Sequence, residues 1–196
     1  MKTYFLLLCL LLSTGFVFSQ PSVETREIKI MPGSSLSISG NTNINDFECD
    51  FDTLCFQDQT ITVNFSSKGE VLDFRNSVLP LKNNNFNCGN KRINRDVKDL
   101  LKTDEHPEIL LKIKKIDLKK DKAQATLNFT IAGIDKDYTF PVEVTGDETM
   151  CFNGKLALNI TDFNLKAPSK VFGLIVIDEV ININFNLNVQ SLEDKS

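Results

Sequence analysis

The stretch Val180–Val189 reads V-I-N-I-N-F-N-L-N-V, and from Ile181 onward each apolar residue is followed by an asparagine or ends the run. Successive side chains of an extended strand point to opposite faces, so the apolar side chains share one face and the asparagines share the other. β-Branched and aromatic residues with a period of two predict a half-buried antiparallel strand rather than a helix. The rest of the chain must supply an apolar cover for that face.

Alternation of the same kind predicts strands along most of the remaining chain. The segments concerned are 28–30, 36–38, 46–52, 61–65, 71–81, 108–118, 127–131, 138–144 and 156–160. The apolar residues change faces near Leu110 and Leu111, which indicates either a bulge or a strand with both faces partly buried. Gly133 predicts a tight hairpin between the strands around it. Asn94 to Lys102 is the one helical segment, with Asn94 as its N-cap. The sequence thus predicts an all-β chain of eight or nine antiparallel strands with one short helix.

Composition limits the class of protein. The chain has 196 residues, of which 41% are hydrophobic and 24% charged, which is typical of one globular domain. Its net charge is -4, and the absence of any block of like charge argues against binding to nucleic acid. Phenylalanine occurs 15 times and tryptophan never, so aromatic side chains are expected to fill apolar space.

The N-terminal segment, Met1 to Ser19, has the pattern of a secretory signal peptide. Lys2 precedes an apolar run from Tyr4 to Leu12. A membrane anchor fits less well, because this run is short and is followed by serine, threonine and glycine. The sequence therefore predicts an exported protein, secreted or periplasmic, whose single domain spans residues 20–196 and which has no membrane span after cleavage.

Four cysteines follow the predicted signal peptide: Cys49, Cys55, Cys88 and Cys151. An even number in an exported chain favours two disulfides, and the residues alone leave their pairing open. No C-x-x-C pair occurs and His106 is the only histidine, which argues against a zinc or iron site. The acidic residues that alternate along 46–52 are spread out by the strand, so they do not predict a calcium site.

One-sided strands can stack as a sandwich or close into a barrel, and closure removes the exposed edges. The interior of a barrel of about eight strands is either plugged by its own side chains or open to one slender apolar ligand. The alternation of residues is compatible with both arrangements and with both kinds of interior.

Three stretches together resemble the YceI-like family. They are the helix and loop Asn94–Ile109, the hairpin Leu127–Val144, and the turn Thr161–Leu165 followed by Phe172–Ile175. In order and spacing they cover most of the chain, from about Ser35 to Val189. Asn164 stands where the family has a glycine, and Asn41 to Asn45 stand where it often has a histidine, so the mouth of the barrel is expected to differ.

The resemblance implies an extended, lipocalin-like eight-stranded antiparallel barrel that holds a long-chain apolar lipid, such as a polyisoprenoid or a fatty-acid-like molecule. It also implies a disulfide between Cys49 and Cys88. The two remaining cysteines, Cys55 and Cys151, are then expected to form a second disulfide. The residues expected to line the apolar lumen are Phe47, Phe65, Leu127, Phe129, Ile131, Phe140, Val142, Ile181, Ile183, Phe185 and Leu187.

Three hypotheses of different classes follow for the function, and an enzyme is the weakest of them. The first is a carrier or store of the lipid in the cell envelope, and the second is a non-catalytic interaction module whose barrel is filled by side chains. His106, beside Glu105 and Glu108, is a conceivable general base. No nucleophile motif and no glycine-rich phosphate loop accompany it, so the sequence predicts neither catalysis nor a cofactor. It leaves a homodimer open.

Overall fold

The computed structural model describes residues 22–43, 46–57, 59–118, 123–167 and 177–192. The predicted signal peptide, the positions of Ile44 and Asn45, and the family-like segment Phe172–Ile175 lie outside the described residues. The described part contains eleven strands, one α-helix and three short 3-10 turns. The strands are β1 Val23–Ile30, β2 Ser35–Thr42, β3 Asp46–Phe51, β4 Ile61–Lys68, β5 Val71–Lys82, β6 Phe86–Asn87, β7 Glu108–Asp117, β8 Ala123–Ile131, β9 Ile134–Thr145, β10 Thr149–Asn159 and β11 Ile177–Leu192.

Eight of these strands form a closed antiparallel ring. Its order is β1-β4-β5-β7-β8-β9-β10-β11, and β11 pairs back with β1. Ring closure satisfies the edges that one-sided strands would otherwise expose. The all-β, eight-stranded barrel with one short helix is therefore confirmed, and the sandwich is excluded.

The long strand β11 organises one side of the ring. Its C-terminal part, from Val189 to Leu192, pairs with β1, while its part from Ile177 to Asn186 pairs with β2. Strands β1 and β2 thus lie end to end along β11 and are separated by a turn at Met31–Ser34. Beyond β2 the sheet continues through β3 to β6. The pairing of β1 with β11 closes the barrel. Strands β2, β3 and β6 form a branch that continues the sheet from the other part of β11.

Two strands carry irregularities that widen or bend the sheet. At Leu110 and Leu111 the β7–β8 register is regular and both faces are half-buried, as the second of the two predicted alternatives requires. The register shift lies further along β7, between Ile113 and Lys115. A second shift in the β5–β7 pairing lies between Asp73 and Ser77, where Asn76 has a φ of +53°. An extra residue in one strand increases local twist and curvature, which a closed barrel needs.

The hairpin between β8 and β9 matches the prediction. Ala132 and Gly133 connect the strands with φ values of +48° and +78°. Two successive positive φ values match a type I′ turn, whose twist suits an antiparallel hairpin. Asn164 also has a positive φ, +53°. Asparagine tolerates this left-handed region, so the turn is kept although the resembling motif has glycine there.

The helix α1 spans Lys91–Leu100 and begins earlier than predicted. Asn90, not Asn94, is the N-cap, because its side chain accepts hydrogen bonds from the backbone N–H groups of Arg92 and Ile93. Asn94 instead accepts a hydrogen bond from the Cys88 backbone N–H, at 2.7 Å. At the other end, Lys102 has a φ of +53°, and the following N–H bonds back to the Lys98 carbonyl, which ends the helix.

One of the two implied disulfides is present. Cys49 of β3 is bonded to Cys88, whereas Cys55 and Cys151 are free, so the predicted Cys55–Cys151 bridge is wrong. The two free cysteines lie in different surroundings, Cys151 in strand β10 and Cys55 in the 3-10 turn Thr53–Phe56. Cys151 pairs with Asn188 in the asparagine row of β11, while Cys55 packs against inward-facing apolar residues. Burial raises the pKa of the Cys55 thiol, which reduces its reactivity in the folded protein.

Counting thiols tests this assignment. A chain without residues 1–19 is expected to expose two reactive thiols when unfolded without reductant, and four after reduction, because only Cys49 and Cys88 are bonded. Changing both bonded residues to serine should lower the free energy of unfolding by about 2–5 kcal/mol. Cys151→Ser is the control and should leave the urea midpoint nearly unchanged. No reactive thiol before reduction would contradict the structure.

A second test concerns Gly154, whose cross-strand partner is Phe185. A Cβ at position 154 would lie only 2.5 Å from Cζ of the Phe185 ring. Gly154→Ala is therefore expected to lower the free energy of unfolding by about 1–3 kcal/mol through overpacking. In a Phe185→Leu background the same change should lower the free energy of unfolding by less. Urea unfolding of the four proteins in this double-mutant cycle measures the difference. An equal cost in both backgrounds would assign the effect to the backbone instead.

Candidate functional site

The barrel interior holds two groups of buried apolar side chains. The larger cluster consists of Leu101, Ala123, Ala125, Phe129, Ile131, Phe140, Val142, Leu156, Leu158, Ile160, Phe163 and Leu165. The smaller cluster consists of Ile30, Phe51, Phe56, Leu81 and Phe86. Ile109 and Leu111 of β7 are partly buried and pack against both clusters. Buried apolar side chains therefore pack the interior in two places, and Ile109 and Leu111 contact both.

A cavity of about 90 Å³ lies between the two clusters. Every described residue that lines it is apolar, and no polar atom of these residues faces the space. The lining residues are Leu36, Ile38, Phe47, Leu81, Phe86, Val97, Leu100, Leu101, Ile109, Leu111, Phe129, Ile131, Leu158, Ile160, Phe163, Leu165, Ile181 and Ile183. Such a lining favours hydrocarbon over water, because a bound water needs polar partners.

Helix α1 contributes one wall of this cavity. Val97 and Leu100 of the helix and Leu101, its C-cap, line the space and pack against the larger cluster. Residues three and four apart share a helix face, so one apolar stripe of α1 covers the cavity. The helix is too short to cover a sheet, as its sequence indicates, but it is long enough to cover this opening.

The segment that carries α1 is fixed at both ends. Before the helix, Cys88 is bonded to Cys49 of β3. After it, the side chain of Asn83, which is only 1% exposed, donates hydrogen bonds to the Thr103 hydroxyl at 3.2 Å and to the His106 carbonyl at 2.8 Å. Between the disulfide and this clamp, the contacts of α1 with the barrel that line the cavity are apolar.

Tyr138, which does not itself line the cavity, packs against the lining aromatic residues Phe129 and Phe163. Its ring packs edge-on against Phe129 and is stacked on Phe163. The Tyr138 hydroxyl donates a hydrogen bond to a carboxylate oxygen of Asp162, at 2.6 Å. Burial, together with the bond to this carboxylate, raises the pKa of Tyr138 to about 12. The phenol therefore stays neutral at physiological pH and continues to donate the hydrogen bond to Asp162.

Five of the residues predicted for the lumen line the cavity: Phe47, Phe129, Ile131, Ile181 and Ile183. They come from β3, β8 and β11, which sequence alternation alone does not bring together. Phe47 reaches the cavity across Gly40 of β2, because a Cβ at position 40 would lie 2.6 Å from its ring. The missing side chain at Gly40 makes room for the aromatic ring.

Six predicted lumen residues do not line the cavity: Phe65, Leu127, Phe140, Val142, Phe185 and Leu187. Phe140 and Phe185 meet edge to face, with ring centroids 5.9 Å apart, and help to fill the barrel interior. Phe65 is 9% exposed and contacts the Phe74 ring and the guanidinium of Arg26. Phe140 and Val142 belong to the larger cluster, with Leu127 and Phe185 packed against it, whereas Phe65 and Leu187 belong to neither cluster. Alternation does not separate the packed part of the interior from the empty part.

Most of the other residues that line the cavity were not predicted from the sequence. Leu81 and Phe86 flank an irregular asparagine-rich segment, and Phe163 and Leu165 lie in a 3-10 turn and the loop after it. Usable signals did exist for two groups: Val97, Leu100 and Leu101 fall on one side of the helix, and residues 36–38 and 156–160 alternate as predicted strands. The remaining residues are assembled by pairings between strands distant in sequence.

The ring of His106 lies beside the turn at Gly133, where a Cβ would be 2.9 Å from the imidazole. His106 therefore packs against a hairpin rather than into the cavity. Within the described ranges, no group of three or more His, Cys, Asp or Glu side chains is arranged to hold a metal ion. No helix among the described residues is long and apolar enough to cross a membrane.

Comparison with solved structures identifies the same barrel in bacterial proteins. BcnA of Burkholderia cenocepacia is 20% identical over 80% of this chain and 95% of its own, with a TM-score of 0.54. A polyisoprenoid binding domain from Saccharophagus degradans, implicated in plant cell wall breakdown, is 12% identical over 88% and 100%, with a TM-score of 0.58. The YceI protein of Campylobacter jejuni is 18% identical over 74% and 85%, with a TM-score of 0.56.

At these identities the likeness concerns the fold. No curated protein sequence matches the chain. A family model, in contrast, matches residues 27–189, which include every strand of the closed ring at least in part. The chain therefore belongs to the family of proteins with a YceI-like domain.

Proposed function

We propose that this protein is an exported, non-catalytic binding protein that holds the apolar tail of a long amphiphile in the cavity beneath α1. The observation that carries the proposal is a cavity whose described lining residues are all apolar and to which the short helix α1 contributes one wall. The description of the Saccharophagus degradans neighbour as a polyisoprenoid binding domain supports the same chemistry. A polyisoprenoid or a fatty-acid-like lipid is the proposed ligand class.

The hydrophobic effect is the proposed driving force. Moving a chain from water into an apolar site gains about 0.8 kcal/mol for each buried CH₂ group, less the cost of ordering the chain. A polar headgroup would find no hydrogen-bond partner among the described lining residues. The headgroup is therefore expected to stay at the mouth while the hydrocarbon enters.

The volume of the cavity requires a movement. Pockets for drug-sized ligands usually measure about 300–1,000 Å³, whereas this cavity measures about 90 Å³. A long chain would need the space now taken by Val97, Leu100 and Leu101. We propose that α1 is a lid that moves outward when the ligand enters.

The ends of the lid segment suit such a movement. Gly89 follows the disulfide-bonded Cys88 and has a φ of +68°. A Cβ at this position would have no atom within 4 Å apart from those of its chain neighbours. A glycine without close neighbours can change its backbone angles at little steric cost. Gly89 is the proposed hinge, and the Asn83 clamp is the proposed latch at the other end.

Export is part of the proposal. The disulfide between Cys49 and Cys88 suits an oxidising compartment, and the N-terminal residues 1–19 have the pattern of a secretory signal. Transport or storage of the lipid outside the cytoplasm, in the secreted or periplasmic space, follows as the proposed role.

One observation favours the alternative function, a non-catalytic interaction module with a filled barrel. Much of the interior is packed by side chains such as Phe140 and Phe185, and the remaining space is small. The two functions differ in whether the cavity accepts hydrocarbon. Ligand binding therefore decides between them.

A matched pair of leucines tests the proposed site. Leu111 of β7 lines the cavity, and Leu127 of neighbouring β8 is similarly half-buried but does not. Leu111→Phe should fill the space and weaken binding of dansyl-undecanoic acid at least about tenfold, a loss of roughly 1.4 kcal/mol. Leu127→Phe should change the affinity much less. Fluorescence titration measures both, and circular dichroism checks that each variant folds.

Native mass spectrometry and organic extraction of the wild-type protein complete this test. A stoichiometric long-chain amphiphile, reduced in the Leu111→Phe variant but retained in the Leu127→Phe variant, is the expected result. A protein that stays bare when fatty acids and polyisoprenoids are offered would refute the carrier function and favour the filled module.

The latch is tested at Asn83. Asn83→Ala removes the hydrogen bonds to Thr103 and His106 and should lower the free energy of unfolding by about 2 kcal/mol. Amide hydrogens of residues 91–106 should then exchange faster, because the lid has lost one of its two attachments. The exposed neighbour Asn84 provides the control Asn84→Ala. Unchanged exchange in residues 91–106 of the Asn83 variant would contradict the latch.

A further inference from the structure

The outer side of α1 carries a row of cations. Lys91, Arg95 and Lys98 are spaced four and three residues apart and share one face of the helix, and Lys102 follows directly after its end. All four border one shallow surface groove. Lys91, Arg95 and Lys102 are exposed and Lys98 is half-buried. The apolar stripe on the same helix covers the cavity, so the cationic row lies on the far side of the proposed lid.

These cations form no salt bridge with an acidic residue of the described ranges. The salt bridges there join Arg26 to Glu24, Lys114 to Asp137, and Lys115 to Asp117, all on strands. The chain as a whole has a net charge of -4. A row of positive charges on an acidic protein attracts an anionic surface that the rest of the protein would repel.

Lys102 adds a second, independent observation. Its φ of +53° is the left-handed conformation that ends a helix, a position at which glycine is usual because other side chains are strained there. The chain keeps a lysine at this position, although glycine would fit the backbone better. Strain at one residue of a charged row is consistent with a role for its charge.

We propose that the cationic face of α1 docks the protein on an anionic lipid bilayer. From Lys91 to Lys98 the row extends about 10 Å along the helix, and Lys102 lengthens it, so it matches an array of headgroups better than one phosphate. Asp99, Asp104 and Glu105 border the same groove. They offset part of the positive charge, so the groove is bordered by four cations and three anions and keeps an excess of one positive charge.

Docking in this orientation would bring the lid and the cavity behind it to the membrane surface. Lipid could then pass between bilayer and barrel without crossing water over a long distance. Docking itself needs only the outer face of α1 and does not require cargo. Its failure would therefore leave the proposed lipid-binding function untouched, and the two are tested by different measurements.

Vesicle sedimentation tests the docking. The protein without residues 1–19 should pellet with phosphatidylcholine vesicles that contain about 30 mol% phosphatidylglycerol, and should not pellet with phosphatidylcholine alone. Binding should be lost when salt is raised from about 0.1 M to about 1 M, because the Debye length falls from about 10 Å to about 3 Å. Arg95→Gln with Lys98→Gln should weaken binding about 25-fold, at about fivefold for each cation.

Two further variants separate charge from structure. Arg75→Gln with Lys68→Gln removes the same charge from exposed positions at the β4–β5 hairpin, which belongs to a different part of the barrel, and should affect binding much less. Lys102→Gly should raise or preserve the urea unfolding midpoint, because it relieves the strained conformation, while weakening vesicle binding about fivefold. A merely structural role of Lys102 would not separate these two readouts in this way.

Equal binding to neutral and anionic vesicles would overturn the proposal. So would an equal loss in the Arg95 and Lys98 variant and in the Arg75 and Lys68 variant, because the effect would then reflect net charge alone. Full vesicle binding by Lys102→Gly would exclude Lys102 from the docking surface and remove one of the two observations on which the proposal rests.

Discussion

The one-sided apolar pattern of β11 is the constraint on which the rest of the structure depends. Its inward face cannot be exposed to water, and its outward asparagines cannot be buried without partners. Because it pairs with β10 on one side and with β1 and β2 in succession on the other, this strand closes the ring. It also supplies Ile181 and Ile183 to the cavity. A shift of one residue in its register would reverse both faces, so its pairing is strongly specified.

Local patterns predicted much of the fold because strands, the hairpin and the inward faces depend on neighbouring residues. The helix N-cap was misplaced because Asn90 and Asn94 are both suitable residues, and only the hydrogen bonds distinguish them. The wrong Cys55–Cys151 pairing arose by elimination, whereas the structure places the two residues in different surroundings. Five of the eleven predicted lumen residues line the cavity, and they are five of its eighteen lining residues. Alternation shows which side chains point inward, but not where their volumes fail to fill the interior.

Helix α1 connects the interior with the surface. A helix of ten residues is marginal in isolation and depends on tertiary contacts for its stability. Here those contacts are an apolar stripe over the cavity, a disulfide before the helix and the Asn83 clamp after it. An element held by few polar contacts can move without opening the barrel, whose strand ladders do not include it. The opposite helix face remains available for interaction.

The empty space itself argues for a ligand. Protein interiors are close-packed, and an unfilled cavity costs about 24 cal/mol per Å³. A cavity of about 90 Å³ therefore costs about 2 kcal/mol, a substantial part of the stability of a typical domain. A larger side chain at a single wall position such as Leu111 could remove much of that cost. A space that is unfilled, apolar on all described sides and bordered by a helix outside the strand ladders has the properties expected of a site that a hydrocarbon chain completes.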